Sequence, residues 1–544
     1  MIAHDNEMML LNDVIRKRVS RRALLARGAA LGLSAPVLAG LMAAREQVAS
    51  AQATPQAEPA GEIVWALETP PPNIIPFGAI SGAAWNGKEF MYDSLLEWDE
   101  NLIIQPALAE SYETPDDTSY VFHLRQGVLF HDGAEMKAAD VKYSLDMAPA
   151  PPAPGAVVPF LGNIASTEVV DDYTVKVTMS KVDPTLPGVL AWGGYTPVVP
   201  AGIYDRINVL SEGIGTGPFK LTEYVQDDVI VYEAFADYWK EGIPCLSKLT
   251  LQSLTDENTR VSQLRSGGID GGSFTPDIAA TLEGEEGIEI LRGLTSAPRV
   301  IHFNTVNDVP WRDARVRQAI NKCVDRQQII DNVYGGQAEL TNAVPPGYGD
   351  YPLPSERLAE LYAVDVEGAK ALMAEAGLGD GFSVTLQSIA APPDYTQIAE
   401  IVKESLKQIN IDVTVEPLEI GQFGDNIGAG TFEWASTARG MRGDPSGYVI
   451  DFRSGTGLNV KWFGEGWKND QIDALYDQAL TTLDQTQRPA LYHQIQELIA
   501  TDVPNMYTVN PYKFQAVRSR VTGMYVYFGN TNKGLRTACV TAEE

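Results

Sequence analysis

Two arginines stand three residues apart in the segment 434–452 (WASTARGMRGDPSGYVIDF): Arg439 and Arg442, with Met441 between them and Asp444 just behind. Guanidinium groups so placed can grip a carboxylate or phosphate through paired N–H donors. Without such a solute they can instead face water, or pair with Asp444 and Asp451. Trp434, Trp462 and Trp467, with Tyr448 and Phe463, lie around glycine-rich loops in the same stretch. Rigid aromatic walls with a few polar anchors suit a small-molecule cleft. Core packing is an equal use for any one of these rings.

Other chemistry-bearing patterns lead to blander readings. His123 and His131 lie eight apart near Asp132, but on an extended strand that spacing spans ~27 Å, so they need not share a metal. A packing residue and a turn residue are expected instead. The run 213–217 (GIGTG) is followed by Pro218 and a strand pattern. It therefore lacks the helix N-terminus that cradles a phosphate, and reads as a turn. The chain has no G-x-S-x-G and no H-E-x-x-H, and no acid–base pair can be singled out among its 71 acidic residues. The expectation is a binding module without catalysis, cofactor or metal, with an exported hydrolase as the competing class.

The elements that would position these groups change character along the chain. Residues 63–65 are strand-like and break at Pro70-Pro71-Pro72, while 120–124 and 174–179 alternate with period two, as half-buried strands do. A Pro/Ala loop at 149–159 ends any helix begun at Ala139. After about residue 300, strands alternate with helices. The expected order is a strand at 300–304, a helix over 313–334 stopped by Gly335-Gly336, and a helix over 366–376 capped by Gly377. A strand at 382–386, a helix through Ile398 to Ile409 and a strand at 411–415 follow. That order predicts an α/β lobe. Helices over 471–483 and 487–500 precede short closing strands.

At 544 residues the chain is long enough for two or three lobes. Its N-terminus carries Arg16-Lys17-Arg18 and Arg21-Arg22, then a mostly apolar stretch and A-x-A sites near 49–53. This reads as a cleaved signal (1–53) of twin-arginine type, followed by a linker at 54–61. No cysteine follows the apolar stretch, so no lipoprotein anchor is expected, and no later segment is long and apolar enough to span a membrane. Without that leader the formal charge moves from −30 to −33, which disfavours nucleic acid and anionic lipid as partners. The three cysteines, Cys245, Cys323 and Cys539, are too few for a disulfide framework; one bridge can form, and the sequence does not choose it. Cys323, on an apolar helical face, reads as a small buried hydrophobe.

Several segments taken in order resemble the peptide/nickel family (family 5) of ABC-transporter solute-binding proteins. Residues 107–145 run L-A-E-S, an alternating strand ending F-H-L-R-Q-G-V-L-F-H-D-G, then A-A-D-V. Residues 215–270 give G-T-G-P-F-K-L, D-Y-W and S-G-G-I-D; Asn304, Val316-Arg317-Gln318-Ala319-Ile320 and Asp325-Arg326 continue the series, and 476–508 closes it. The resemblance implies an α/β, bilobal periplasmic-binding-protein-like fold (type II, large peptide-binding class) with an extra inserted small domain. Lobe I would be discontinuous (62–94, 200–299, 506–544), the small domain II would be 95–199, and the α/β lobe III 300–505. It implies an exported, extracytoplasmic monomer that captures a small solute, peptide or peptide-like and anionic, between two lobes. The solute then passes to an ABC permease with its ATPase; a nickel-type metal chelate is the alternative cargo. In peptide-binding members an aspartate at the position of Met441 holds the ligand's α-ammonium. Its replacement here, with Arg439 and Arg442 on either side, implies an anionic ligand. Asp444, Trp462, Gly82 and Trp85 complete the expected ligand contacts.

Overall fold

The computed structural model describes residues 58–77, 82–100, 102–148, 161–193, 196–440, 442–529 and 531–541. The leader and the start of the linker lie outside the described residues, as does Met441. From Pro59 onward the chain forms one compact unit.

Its largest sheet has eight strands and is threaded from distant parts of the sequence. Glu62–Leu67 lies inside it, with Ile63, Trp65 and Leu67 buried, paired in parallel with Lys248–Ser253 on one side and Gly271–Phe274 on the other. Val229–Ala234 and Phe219–Val225 extend one edge antiparallel. On the other side Val509–Arg518 is inserted between Gly271–Phe274 and Ile288–Leu294, and also pairs with Ala338–Leu340. A bridge between Cys245 and Cys539 pins the closing segment to this body. Cys323 is free and buried on the helix Ala314–Cys323.

A four-stranded antiparallel sheet is built only from residues between 109 and 179. Here the alternation in sequence becomes burial: Tyr120, Phe122 and Leu124 turn inward, as do Val175, Val177 and Met179, while His123 stays exposed. Only one face of this sheet packs, which is why period two is visible.

The third sheet has five strands, in the order Ile411–Leu418, Phe382–Ile389, Trp434–Ala438, Arg299–Phe303, Asn505–Tyr507. The first three run parallel, an arrangement that needs crossover connections such as the intervening helices. The helix expected over 313–334 is two helices, Ala314–Cys323 and Arg326–Tyr334. Apolar spacing runs through the break, but Val324 is extended, and Asp325 caps a new start by accepting the Gln327 and Gln328 N–H groups. Buried Arg326 donates to the Tyr507, Asn321 and Val324 carbonyls across the join.

The chain passes between the large and five-stranded sheets at 295–298 and again at Thr508, and the two passages are tied together. Thr508 N–H donates to Arg299 O, Thr295 Oγ1 to Pro511 O, and Asn510 Nδ2 to Thr295 O.

Candidate functional site

The strand Trp434–Ala438 ends at the seam between lobes, and the loop after it carries the arginine pair. The structure treats its members differently. Arg439 is buried at 8% exposure and forms an ion pair with Asp451, itself 6% exposed. Its guanidinium carbon lies 5.9 Å from the Trp462 ring centre, and its backbone N–H donates to Pro298 O. Burial and the nearby Arg442 charge both press against its ionised form, and the Asp451 carboxylate answers them. Arg442 is half-buried: Nε donates to Gly447 O at 3.3 Å, and its carbonyl accepts from the Tyr348 hydroxyl.

Asp444, expected at the ligand, is turned into lobe III. Both its oxygens accept from Arg488 at 2.9 Å, and Oδ1 also caps the Ser446 N–H. With Arg488 at 1% exposure this is a buried bidentate pair. Trp462 is likewise internal: its Nε1 donates to Ile427 O, and its ring lies 4.5 Å from that of His302. The structure thus makes Arg439, Asp444 and Trp462 the frame of the loop, with Arg442 on its half-exposed side.

Across the seam stands the short helix Leu186–Leu190 of the 95–199 segment. A Cβ on Gly188 would overlap the Gly443 carbonyl oxygen, and a Cβ on Gly443 would come within 3.1 Å of Val189 Cα. Neither glycine has positive φ, so their role is close approach of two backbones rather than turn geometry. Aromatic contacts continue the seam: Tyr348 meets Trp98, Tyr448 and Phe528 edge-on at 5.3–6.4 Å.

Gly82 opens the helix Gly82–Asn86, and Trp85 on that helix is 5% exposed. Trp85 lies in the wall of a cavity of about 20 Å³ together with Glu89, Trp192, Gly193, Tyr527 and Arg536. A Cβ on Gly193 would sit 2.8 Å from the Trp85 ring, so glycine there lets the indole lie against the chain. Trp192 and Tyr527 stack 6.4 Å apart at 12°. The charges around this wall are mostly matched: Arg536 pairs with Asp93, and Glu97 with Lys240 and, at 3.7 Å, Lys533. Burial would raise Glu97, but Lys533 and Lys240 hold it down at about 2. Sequence reasoning missed this wall apart from Trp85. Its pairs join residues some 440 positions apart, and no local spacing signals them.

The two histidines are far from any shared task. His123 is exposed beside Glu113 at 3.9 Å, whereas His131 is buried between Gly217 O and the Gly215 N–H. The run 213–217 is a tight passage whose Gly215 and Gly217 lie against the backbone of Phe90 and Met91. Among the described residues, no group of three or more His, Cys, Asp or Glu side chains is arranged to hold a metal. No helix there is long and apolar enough to cross a membrane.

Two sheet-centred lobes joined by paired crossings, with a small four-stranded sheet region in contact with the loop at their seam, are the architecture of a bilobal binding protein. The model of the family "Bacterial extracellular solute-binding proteins, family 5 Middle" matches residues 104–459. The glutathione-binding protein of Salmonella typhi is 29% identical over 454 residues, covering 80% of this chain and 86% of that protein. Among solved structures, the periplasmic binding protein AgaA of A. tumefaciens in complex with agropinic acid is 27% identical, with a TM-score of 0.74, covering 89% of this chain and 99% of that one. DppA from Helicobacter pylori, in complex with the peptide STSA, is 26% identical at the same TM-score, covering 88% and 98%. The chain belongs to family 5 of the bacterial extracellular solute-binding proteins. It is the extracytoplasmic, non-enzymatic substrate-binding component of an ABC importer, with a small molecule and the permease as its partners.

Proposed function

We propose that this chain carries an anionic, peptide-like solute, held at the seam between the 439–445 loop and the opposing small domain and lobe I. Arg442 grips the solute's carboxylate or phosphate, and Trp85 packs against its body. One observation carries the reading: the loop holding Arg442 meets the small domain backbone to backbone at Gly443 and Gly188. A solute at Arg442 would thus touch both sides only when they are together, and would pull the population to that state. Arg439 and Asp444 fix the loop's shape through Asp451 and Arg488. A relative named for glutathione and a neighbour solved in complex with agropinic acid support a carboxylate-bearing cargo. The leader's Arg21-Arg22 pair directs export by the twin-arginine route, and the exported chain is a monomer without a lipid anchor.

The test is calorimetry with glutathione and agropinic acid on wild type and Arg442→Ala. A charge-assisted contact is worth ~1.5–3 kcal/mol, so the variant should bind roughly 10- to 150-fold more weakly. Equal affinity for both proteins would remove Arg442 from the site.

A further inference from the structure

Glu89 is the carboxylate of the lobe I wall whose charge is least answered. It is 1% exposed, and Oε1 accepts the Asn532 N–H at 2.9 Å. The Thr531 hydroxyl bonds the carboxylate only weakly, and Oε2 has no hydrogen bond of good geometry. Asp93 and Glu97, in the same wall, each have a cation in contact; Arg536 and Lys513 act on Glu89 only through space. A buried carboxylate oxygen so weakly answered is costly unless something else supplies a better donor.

The cavity that Glu89 lines has the chemistry to receive such a donor. Its clear volume of about 20 Å³ is that of one water, and a primary ammonium is of similar size. Its walls also hold the rings of Trp85, Trp192 and Tyr527, whose faces attract cations, and the side chains of Asp93, Glu97, Lys533 and Arg536, whose charges answer one another in pairs. The Lys533 ammonium already lies 5.1 Å from the Tyr527 ring centre.

We infer that Glu89 and these three rings form a subsite for the ammonium, or another N–H donor, of the transported solute. The cargo is then amphoteric: an anionic group meets Arg442 of lobe III, and an amine enters the lobe I cavity. This rests on the reading of Arg442 given above and adds a second, separate anchor. Burial holds Glu89 up at about 7; an arriving ammonium favours its ionised form and gains strength from the low-dielectric surroundings.

The experiment is calorimetry at pH 8 with matched pairs of solutes: glutathione and its N-acetyl derivative, and the peptide Ser-Thr-Ser-Ala with a free or acetylated N-terminus. Wild type should bind at least one free amine at least 10-fold more tightly than its acetylated form. In Glu89→Gln, which keeps the acceptor for the Asn532 N–H, the two should agree within threefold, while Arg442→Ala weakens both alike. Acetylated solutes binding as tightly as free amines would overturn the inference. A preference that survives Glu89→Gln would do so too, as would failure of every free amine to bind. Should Glu89→Gln not fold, the comparison in wild type still decides, since loss of the amine must cost affinity. An amine preference that persists while Arg442→Ala binds normally would retain Glu89 and discard Arg442.

Discussion

Arg439→Ala tests Arg439 as a residue that frames the loop, against Arg442, which is proposed to hold the ligand. The sequence treats Arg439 and Arg442 alike, as guanidinium groups that grip an anionic solute or else face water or pair with Asp444 and Asp451. In the structure Arg439 is buried against an equally buried Asp451. Truncating it strands a carboxylate away from water, which costs about 3–5 kcal/mol. The effect on melting depends on what unfolds together. If the whole unit of roughly 480 residues melts as one, its unfolding entropy gives a fall of about 3–5 °C. If lobe III melts alone, each kcal/mol is worth about 2–4 °C. Thermal and urea unfolding of the ligand-free protein, followed by circular dichroism, reads this directly. Asp451→Ala should cost a similar amount, and the double variant Arg439→Met, Asp451→Leu should recover most of the loss, because no charge is left unpaired. Arg442→Ala should move stability much less than either single variant. If Arg439→Ala lies within about 0.5 kcal/mol of wild type, as an ordinary surface change would, the buried pair does not support the loop.

Two further outcomes follow from groups at the seam and in the cores. Burial holds His131 down at about 4, and burial with the Arg439 charge holds His302 down at about 3. The unfolded chain takes up these protons near pH 6.5, so both histidines contribute stability that is full above pH 6.5 and lost as pH falls through 4 and 3. Glu89 acts oppositely, its contribution being full below about pH 4.5 and lost as pH rises through 7. His131→Asn should therefore lessen the drop in melting temperature between pH 6.5 and 4, and an unchanged slope would refute the assignment. Gly188→Val should hold the small domain off the Gly443 loop and enlarge the radius of gyration of the free protein in solution scattering. Superimposable curves for variant and wild type would mean that this contact does not limit closure.

Much of the architecture is legible wherever a residue's role is local. Tyr120, Phe122 and Leu124 announce a one-faced strand, and the alternation of strands and helices after residue 300 announces the parallel part of the five-stranded sheet. The break at Val324 was hidden, because apolar spacing continues across it while a single aspartate cap restarts the helix. The site is less legible, since its charges are assigned by partners remote in sequence. Nothing near Asp444 says that Arg488 will take both its oxygens, and nothing near Glu89 reveals Asn532 or Arg536. The aromatic surplus around 434–467 is real, but packing decides its use. Trp434 and Trp462 fill lobe III, whereas Trp85 and Trp192 reach the cavity.

The threading of the largest sheet bears on how this protein can come into being. Its interior strand, Glu62–Leu67, is made first, but Val509–Arg518 must be inserted between Gly271–Phe274 and Ile288–Leu294 before the sheet is whole. Until that strand leaves the ribosome, two strand edges face an empty slot, the arrangement most prone to pairing with another chain. A nascent form lacking its last few dozen residues is therefore not a shorter carrier but an open sheet. Such long-range pairing is also slow to form, so a ribosome that stalls late leaves a product for proteases rather than a partly competent binder.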